Sequence, residues 1–381
     1  MEQKKKKKFR INGILIFNII VVALSVYLLI YFFVSEDGVI DLLSKRGSFS
    51  IFWVIVAALV YEMNVVIDSF VTLVYIRSEY KDFRFIDALK VSLVGVFFGA
   101  VTPSNTGGQP MQLFLLSKKN IRIGFGSACM TQKFIVYQIV TTVFSILAVI
   151  IKFGYFKSAF TNFWSTAFII LGFTVQLAVT GLFLIVSFSK KVSDKLVRGI
   201  YGIMKKLRFV KEPEHKIRKL KREIRIFQQS SKDLMADKKK LVKIYLLVIL
   251  QVMLILSVPY FIYLSLDMRQ ITINSGGIPG NIFDFICIQS FVLFTSNLVP
   301  LPGASGGAEL AFSMYFGQFF IIGGVNKIKP AILLWRLCTY YASIVVSAPF
   351  SYLTKGRNAS SAKEELDKIR DAEYGNVDEG E

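Results

Sequence analysis

Long apolar runs, separated by short polar or basic stretches, dominate this chain of 381 residues. A helix needs about 20 consecutive apolar residues to cross the hydrocarbon core of a bilayer. Several runs reach that length, so the pattern predicts an all-α, polytopic integral membrane protein with about six full spans. The predicted spans are residues 11–33, 50–75, 124–151, 163–188, 244–266 and 330–353.

Two further apolar stretches are interrupted by proline and paired glycine. Residues 103–110 read PSNTGGQP and residues 302–309 read PGASGGAE, so both follow Pro, any, any, Ser or Thr, Gly, Gly, any, Pro or Glu. Proline lacks an N–H and glycine leaves the backbone unrestricted, so both residues break helices. Within lipid, a broken helix is tolerated only where protein or a watery cavity covers it. A matched pair of breaks in two halves indicates a transport site near the midplane.

The flanks of the two breaks predict hairpins that enter the membrane from opposite sides. The first break has short apolar arms and basic residues on both flanks, which predicts a re-entrant hairpin at 91–117 that opens to the cytoplasm. One broken helix that crosses fully is the alternative, but it would place Lys118, Lys119 and Arg122 outside. The second break predicts a hairpin at 282–325 that opens to the outside, with two ordinary spans as the alternative. Opposite entry suggests an inverted repeat.

Charge orients this topology. The formal net charge is +20, and the lysines and arginines concentrate at the N-terminus, in a loop near 77–90 and in the segment 190–243. The positive-inside rule then predicts a multi-pass membrane protein with both termini cytoplasmic. The predicted organisation is a basic cytoplasmic N-terminus (1–10), a first membrane half (11–188), a basic cytoplasmic helical segment (189–243), a second membrane half (244–355) and a polar cytoplasmic tail (356–381).

The basic segment has apolar residues at helical spacing, at Ile217, Leu220, Ile224 and Phe227. This spacing predicts a basic amphipathic helix that lies on an anionic lipid surface. A helical hairpin packed on the protein is the alternative. Because the positive charge flanks spanning segments, a nucleic-acid partner is not expected, whereas membrane phospholipids are. A homo-oligomer remains open.

Cysteine and histidine usage limits the chemistry. The three cysteines lie in apolar runs and the chain has a single histidine, so neither a metal-ligand cluster nor a Ser–His–Asp triad is expected. We therefore predict no cofactor, no metal and no catalytic residue.

The candidate site combines the two breaks with charged residues inside the spans. Broken helix ends expose backbone N–H groups that attract anions, including phosphate, and charges inside spans are costly and mark functional sites. The basic residues could pair with the acids or attract a lipid phosphate. Ion pairs that only hold the bundle together, and glycines that only allow close helix packing, are the alternatives. The predicted substrate-binding residues are Pro103, Ser104, Asn105, Thr106, Gly107, Gly108, Gln109, Pro302, Ser305, Gly306, Gly307, Glu309, Glu62, Asp68, Lys133 and Arg336.

TPSNTGGQP with the preceding GVFFGA, and NLVPLPGASGGAE, resemble the membrane domain of bacterial lysylphosphatidylglycerol synthases and its stand-alone, flippase-like relatives. The resemblance covers about residues 10 to 355, nearly the whole chain. Full-length members join this domain to a soluble domain that transfers lysine from aminoacyl-tRNA to phosphatidylglycerol. The membrane domain is held to translocate the product lipid, and such members confer resistance to cationic antimicrobial peptides.

The resemblance implies a lipid translocase of the bacterial inner membrane that moves an anionic or aminoacylated phospholipid such as lysylphosphatidylglycerol. The chain ends at Glu381, which leaves no room for the transferase domain, so no catalytic activity is expected from it alone. The alternatives are a phosphatidylglycerol lysyltransferase-family protein that acts on lipids with a separate transferase, a small-solute or ion transporter, and a membrane scaffold.

Overall fold

A computed structural model describes residues 49–102, 105–152, 154, 163–189, 191–192, 195, 198–199, 213–296 and 306–352. The basic N-terminus, the predicted first span at 11–33 and the polar tail at 356–381 lie outside the described residues.

The described chain is almost entirely helical. Its helices are α1 (Ile51–Ile76), α2 (Phe85–Ala100), α3 (Gly108–Lys118), α4 (Ile123–Ile151), α5 (Phe163–Phe188), α6 (Pro213–Ala236), α7 (Lys238–Ser265), α8 (Met268–Asn274), α9 (Ile282–Ser296), α10 (Gly307–Phe320), α11 (Ile328–Arg336), a π-helical turn (Leu337–Tyr341) and α12 (Ala342–Tyr352). Two 2-residue strands, Ile321–Ile322 and Val325–Asn326, pair antiparallel between α10 and α11.

Five helical stretches of the described ranges are long and apolar enough to cross a membrane. They are Ile51–Ile76, Ile123–Ile151, Ile170–Phe188, Lys238–Ser265 and Ile328–Ser351. Many of their large apolar side chains are exposed, as expected of surfaces that face lipid. The prediction of an all-α polytopic membrane protein is therefore confirmed.

One predicted span starts earlier than its apolar run. Helix α7 begins at Lys238, whereas the hydrophobic pattern places the start at 244. The side chain of Asp237 accepts a hydrogen bond from the backbone N–H of Lys240 at 3.1 Å and so caps the helix. The cap lets the helix begin among lysines, whose long side chains can reach the water at the membrane boundary.

The helices on either side of each break pack against each other as a hairpin, α2 with α3 and α9 with α10. In the first hairpin the two backbones come so close that a Cβ on Gly108 would lie 2.7 Å from the carbonyl oxygen of Gly95. At its base, Lys119 Nζ lies 2.9 Å from Asp87 Oδ1 and Arg84 Nε lies 3.3 Å from Asp87 Oδ2. Ion pairs therefore close the end of the hairpin opposite its tip.

The two membrane halves repeat one packing pattern. If α1, α2, α3 and α4 are exchanged for α7, α9, α10 and the α11–α12 stretch, the helix pairs in contact map onto one another. Thus α1 packs on α2 as α7 packs on α9, and α3 packs on α4 as α10 packs on α11. Likewise α2 packs on α12 as α9 packs on α4, and α1 packs on α7 at the centre.

The equivalent helices α1 and α7 run in opposite directions. The backbone N–H of Ser50, just before α1, donates to the carbonyl of Ser265, at the end of α7, at 2.7 Å. The rings of Trp53 and Phe261 stack 6.1 Å apart beside this contact. An antiparallel pair of equivalent helices is what an inverted repeat requires.

The basic helix α6 lies across the ends of two spans. Glu223 Oε2 accepts a hydrogen bond from the N–H of Gly124, at the start of α4, at 2.6 Å. Gln228 Nε2 donates to the carbonyls of Val186 and Ser189, at the end of α5, at 3.4 and 3.3 Å. The helix therefore packs on the protein through part of its apolar face, which includes half-buried Phe227. We call the end of the bundle that carries α6 and the base of the first hairpin the basic end.

Acid is expected to loosen the base of the first hairpin. Burial alone would raise the pKa of the Asp87 carboxyl, but hydrogen bonds and charge from Lys119 and Arg84 outweigh it and hold the pKa below its ordinary value. The stabilisation is therefore present above the unfolded pKa of about 3.9, and it is lost as the pH falls through the lower folded pKa. Thermal unfolding in detergent, followed over this acidic range, measures the loss.

The matched variant for this prediction is Asp87→Asn. It keeps the shape of the side chain and removes its titration, so the difference in unfolding temperature from wild type should shrink as the pH falls. A difference that stays constant down to the lowest accessible pH would contradict the prediction.

Candidate functional site

The structure describes most of the predicted site residues. Pro103, Ser104, Pro302 and Ser305 lie outside the described residues, and the structure describes Asn105, Thr106, Gly107, Gly108, Gln109, Gly306, Gly307, Glu309, Glu62, Asp68, Lys133 and Arg336. They include two acid–base pairs that are largely buried between helices, Lys133 with Asp68 and Arg336 with Glu309. The second pair contacts a break directly, because Glu309 accepts a hydrogen bond from Gly306.

The tip of the first hairpin is closed by side chains. Thr102 Oγ1 accepts a hydrogen bond from the N–H of Gly107 at 2.8 Å and donates to the carbonyl of Phe98 at 2.7 Å. Asn105 adopts a left-handed backbone conformation (φ 58°), and its side chain fills the space where a Cβ on Gly99 would lie. Gly107 has an ordinary helical φ of −80°, but a Cβ there would lie 2.9 Å from the Phe98 carbonyl oxygen. This glycine is therefore required by space.

The tip of the second hairpin uses its glycine differently. Gly306 has a φ of +83°, which side chains rarely adopt, and a Cβ there would meet open space. Its N–H donates to Glu309 Oε2 at 2.6 Å, so Glu309 satisfies the first turn of α10. The two breaks share a sequence pattern, but Gly107 allows close packing whereas Gly306 allows a positive φ.

Glu309 also holds an arginine inside the bundle. Arg336 Nε lies 2.7 Å from Glu309 Oε1, and the two side chains are only 10% and 17% exposed. The guanidinium carbon of Arg336 lies 5.2 Å from the ring centre of Trp335 and 5.7 Å from that of Tyr340. Aromatic faces attract a cation, so they help to hold the guanidinium in place.

Tyr340 connects this ion pair to the other hairpin. Its hydroxyl donates to the carbonyl of Ala100, the last residue of α2, at 3.1 Å. Tyr340 and Arg336 sit at the π-helical turn, a geometry that is frequent at functional sites. A continuous set of contacts therefore runs from the first hairpin through Tyr340, Arg336 and Glu309 to Gly306 at the second break.

A second ion pair joins three helices of the first half. Lys133 Nζ of α4 lies 2.9 Å from Asp68 Oδ2 of α1, with side chains 13% and 19% exposed. Lys133 also donates to Thr72 Oγ1 at 3.1 Å. Ser92 of α2 donates to the same oxygen of Asp68 at 2.7 Å. The acid is therefore shared between the first hairpin and the following span.

Glu62 lies apart from both pairs. Its Oε1 accepts a hydrogen bond from Ser343 Oγ of α12 at 2.6 Å. Glu62 is eleven residues into α1, which at 1.5 Å per residue is about 17 Å from the helix start and near its middle. As expected from their six-residue spacing, Glu62 and Asp68 contact different helices.

The two ion pairs lie at matching depths from opposite ends of the bundle. Asp68 is eight residues before the end of α1, and Lys133 is ten residues after the start of α4, which places both about 12–15 Å from the basic end. Arg336 is eight residues after the start of α11, about 12 Å from the other end. The antiparallel halves thus place one buried acid–base pair at each level.

Several contacts of this site involve residues that the sequence analysis did not select. Thr72, Ser92 and Ser343 form hydrogen bonds with Lys133, Asp68 and Glu62 respectively, and Tyr340 links the second half to the first hairpin through Ala100. Each is a single hydroxyl in an apolar helix, where most such groups bond to the carbonyl a turn earlier. The pattern offers no signal that separates these four from the rest.

Comparison with known proteins decides the family. Residues 16–347 match the family described as "Lysylphosphatidylglycerol synthase TM region". The chain belongs to this family. As a member of the lysylphosphatidylglycerol synthase TM-region family, it is similar to a "UPF0104 membrane protein" of Archaeoglobus fulgidus, with 24% identity over 288 residues, which cover 71% of this chain and 77% of the relative. No solved structure gives a significant match.

Proposed function

We propose that this protein translocates a phospholipid with an anionic or aminoacylated headgroup, such as lysylphosphatidylglycerol, between the leaflets of a membrane. The observation that carries the proposal is the pair of buried ion pairs at matching depths in two antiparallel halves. The family description names the same class of lipid, and it supports the choice of headgroup.

A charged headgroup needs partners inside the membrane. An unpaired ion in hydrocarbon costs several kcal/mol or more, and this cost keeps lipids from crossing unaided. Arg336 is held by Glu309. An aminoacylated headgroup carries charges of both signs, so its phosphate can pair with the guanidinium while an ammonium pairs with the carboxylate. Exchange avoids most of the cost of leaving either charge unpaired. At the other depth, Asp68 of the Lys133–Asp68 pair offers a second carboxylate for an ammonium of the headgroup.

The arrangement of the halves suits alternating access. In transporters with inverted repeats, one half moves against the other around a site at their interface. Here the hairpins contact each other's half through Tyr340 and Ala100, and the equivalent helices α1 and α7 meet at the centre. The headgroup would pass between the two levels while its acyl chains remain in lipid.

The proposal extends to membrane orientation and physiology. With the basic end in the cytoplasm, α6 would lie at the anionic lipid surface, where exposed Arg218, Lys221, Arg222 and Arg225 can attract headgroups. Outward movement of an aminoacylated lipid would make the outer surface less negative. Cationic peptides would then bind less strongly, in line with a role in resistance to them.

A reconstituted assay tests the proposal. The purified protein is placed in vesicles with lipids that carry a fluorescent acyl chain and either a phosphatidylglycerol or a lysylphosphatidylglycerol headgroup. A membrane-impermeant quencher then reports the fraction exposed outside. We expect label from the inner leaflet to become accessible at least about tenfold faster than in protein-free vesicles, a difference of about 1.4 kcal/mol in barrier.

Two outcomes would replace the proposal. Equal rates with and without protein, for both headgroups, would contradict translocation and leave a small-solute transporter or a scaffold. Formation of lysylphosphatidylglycerol from aminoacyl-tRNA by the purified chain would indicate a lipid-modifying enzyme.

A further inference from the structure

The two buried ion pairs differ in one chemical respect. One contains an arginine, whose guanidinium stays charged in proteins, and the other contains a lysine, whose ammonium can lose its proton. The exposure of their side chains is otherwise similar, 13% and 19% in the lysine pair and 10% and 17% in the arginine pair. Of these two pairs, therefore, only Lys133–Asp68 has a basic residue that can lose a proton.

Lys133 occupies a nest of oxygen atoms that suits any primary ammonium. Its Nζ lies 2.9 Å from Asp68 Oδ2 and 3.1 Å from Thr72 Oγ1. Ser92 fixes the same carboxylate oxygen from α2 at 2.7 Å. Two helices other than that of Lys133 supply these oxygen atoms, α1 with Asp68 and Thr72 and α2 with Ser92, so the nest does not depend on Lys133 for its position.

Charge balance limits what can occupy this nest. With Lys133 protonated, the pair is neutral, which buried sites require. A second ammonium beside Asp68 would leave one net positive charge in a nearly buried site. Loss of one proton from Lys133 restores neutrality, because the amine then carries no charge and Asp68 is paired with the incoming ammonium.

We infer that Asp68 takes the primary ammonium of an aminoacylated headgroup, and that Lys133 releases one proton when it does so. The step converts the Lys133 ammonium to an amine and one proton that leaves to water, and no other bond changes. The inference rests on the proposed function for its class of lipid. It makes movement of such a lipid dependent on proton movement in the opposite direction.

Few other titratable groups face this pair. On α4 they are Tyr137 and Cys129, which lie close enough to interact with Asp68 and Lys133 respectively, and Glu79 beyond α1 interacts with Cys129. The contact from α2 is the hydroxyl of Ser92, and from α7 Tyr245 faces Tyr75 nearer the basic end. Phenol and thiol groups are ordinarily uncharged at neutral pH. Lys133 and Asp68 are therefore the groups of the nest whose charge can respond to a ligand.

Proton release on binding tests the inference without any transport. Short-chain lysylphosphatidylglycerol is added to the full-length protein in weakly buffered detergent at neutral pH, and a pH-indicator dye counts protons. Phosphatidylglycerol with the same acyl chains, which lacks the ammonium, is the reference ligand. We expect about one proton per bound aminoacylated lipid and none for the reference.

Lysine variants separate this site from the rest of the chain. Lys133→Arg keeps the ion pair but cannot lose its proton, so it should abolish the proton signal and weaken binding at least about tenfold. Lys152→Arg makes the same change just after the last residue of α4, in a pair with Asp284 (2.5 Å) at the end of the bundle opposite the basic end, and should leave both quantities unchanged. Should Lys133→Arg fail to fold, Lys133→Gln must bind the lipid without releasing a proton.

Two results would overturn the inference. One is proton release by Lys133→Arg equal to that of wild type, and the other is binding of both lipids with equal affinity and no proton signal. Because these measurements involve no movement between leaflets, they remain decisive whether or not the vesicle assay detects translocation.

Discussion

Replacing Arg336 by glutamine is expected to slow lipid translocation strongly and to destabilise the protein by about 3–5 kcal/mol. The substitution removes the guanidinium that lies 2.7 Å from Glu309. It leaves the Glu309 carboxylate without a cation. The Glu309 side chain is only 17% exposed, and an unpaired charge is costly inside a membrane protein. Translocation should fall at least about tenfold, because the cation for the headgroup phosphate is gone. The vesicle assay and thermal unfolding in detergent measure the two effects.

A second substitution separates stability from function. The double variant Arg336→Gln, Glu309→Gln removes both charges, so unfolding should return toward wild type while translocation stays low. Glu309→Gln alone keeps the Arg336 guanidinium and removes the carboxylate that pairs with it. If the double variant regained both stability and transport, the ion pair would serve only to hold the bundle together, and the headgroup role would be wrong.

Replacing Gly108 by alanine is expected to force the first hairpin apart and to cost about 1–3 kcal/mol. The new Cβ would lie 2.7 Å from the carbonyl oxygen of Gly95. That atom belongs to the backbone of α2, so it cannot move aside as a side-chain end would. Separation of α2 from α3 also disturbs Ala100, which accepts the hydrogen bond from Tyr340, so translocation should fall as well.

The matched control is Gly317→Ala in α10. A Cβ on Gly317 meets nothing within 4 Å, so the change should stabilise the helix by up to about 1 kcal/mol through its higher helix propensity. Thermal unfolding of both variants in the same detergent gives the comparison. Equal effects of the two substitutions would show that the hairpin has room for a side chain at Gly108.

Periodicity and charge predicted much of the fold because membranes impose simple rules on length and polarity. Spans such as Ile123–Ile151 follow from the apolar runs, and the two breaks follow from proline and paired glycine. The start of α7 was missed because the rule counts apolar residues, whereas the helix begins where Asp237 caps it. Helix ends depend on capping bonds that hydropathy does not describe.

The sequence shows which charged residues lie within the apolar runs, but it does not show how they pair. Lys133 and Arg336 were expected to balance charge, yet nothing in the spacing indicates that one meets Asp68 and the other meets Glu309. Such partners depend on the rotation and depth of helices that are distant in sequence. The sequence also does not show that Gly107 and Gly306 differ in backbone conformation. A glycine at the same position of a motif can be required either by lack of space for a side chain or by a positive φ.

That difference between the two glycines has an energetic consequence for the cycle. A carrier with two identical inverted halves would have equal free energy when open to either side. Here one tip is held by packing against Phe98, and the other combines a positive φ with a carboxylate that also binds Arg336. If the protein carries lipid as proposed, the tips would open at different cost, so the empty protein would rest mainly in one orientation and a lipid would bind more weakly from the side that is less often open.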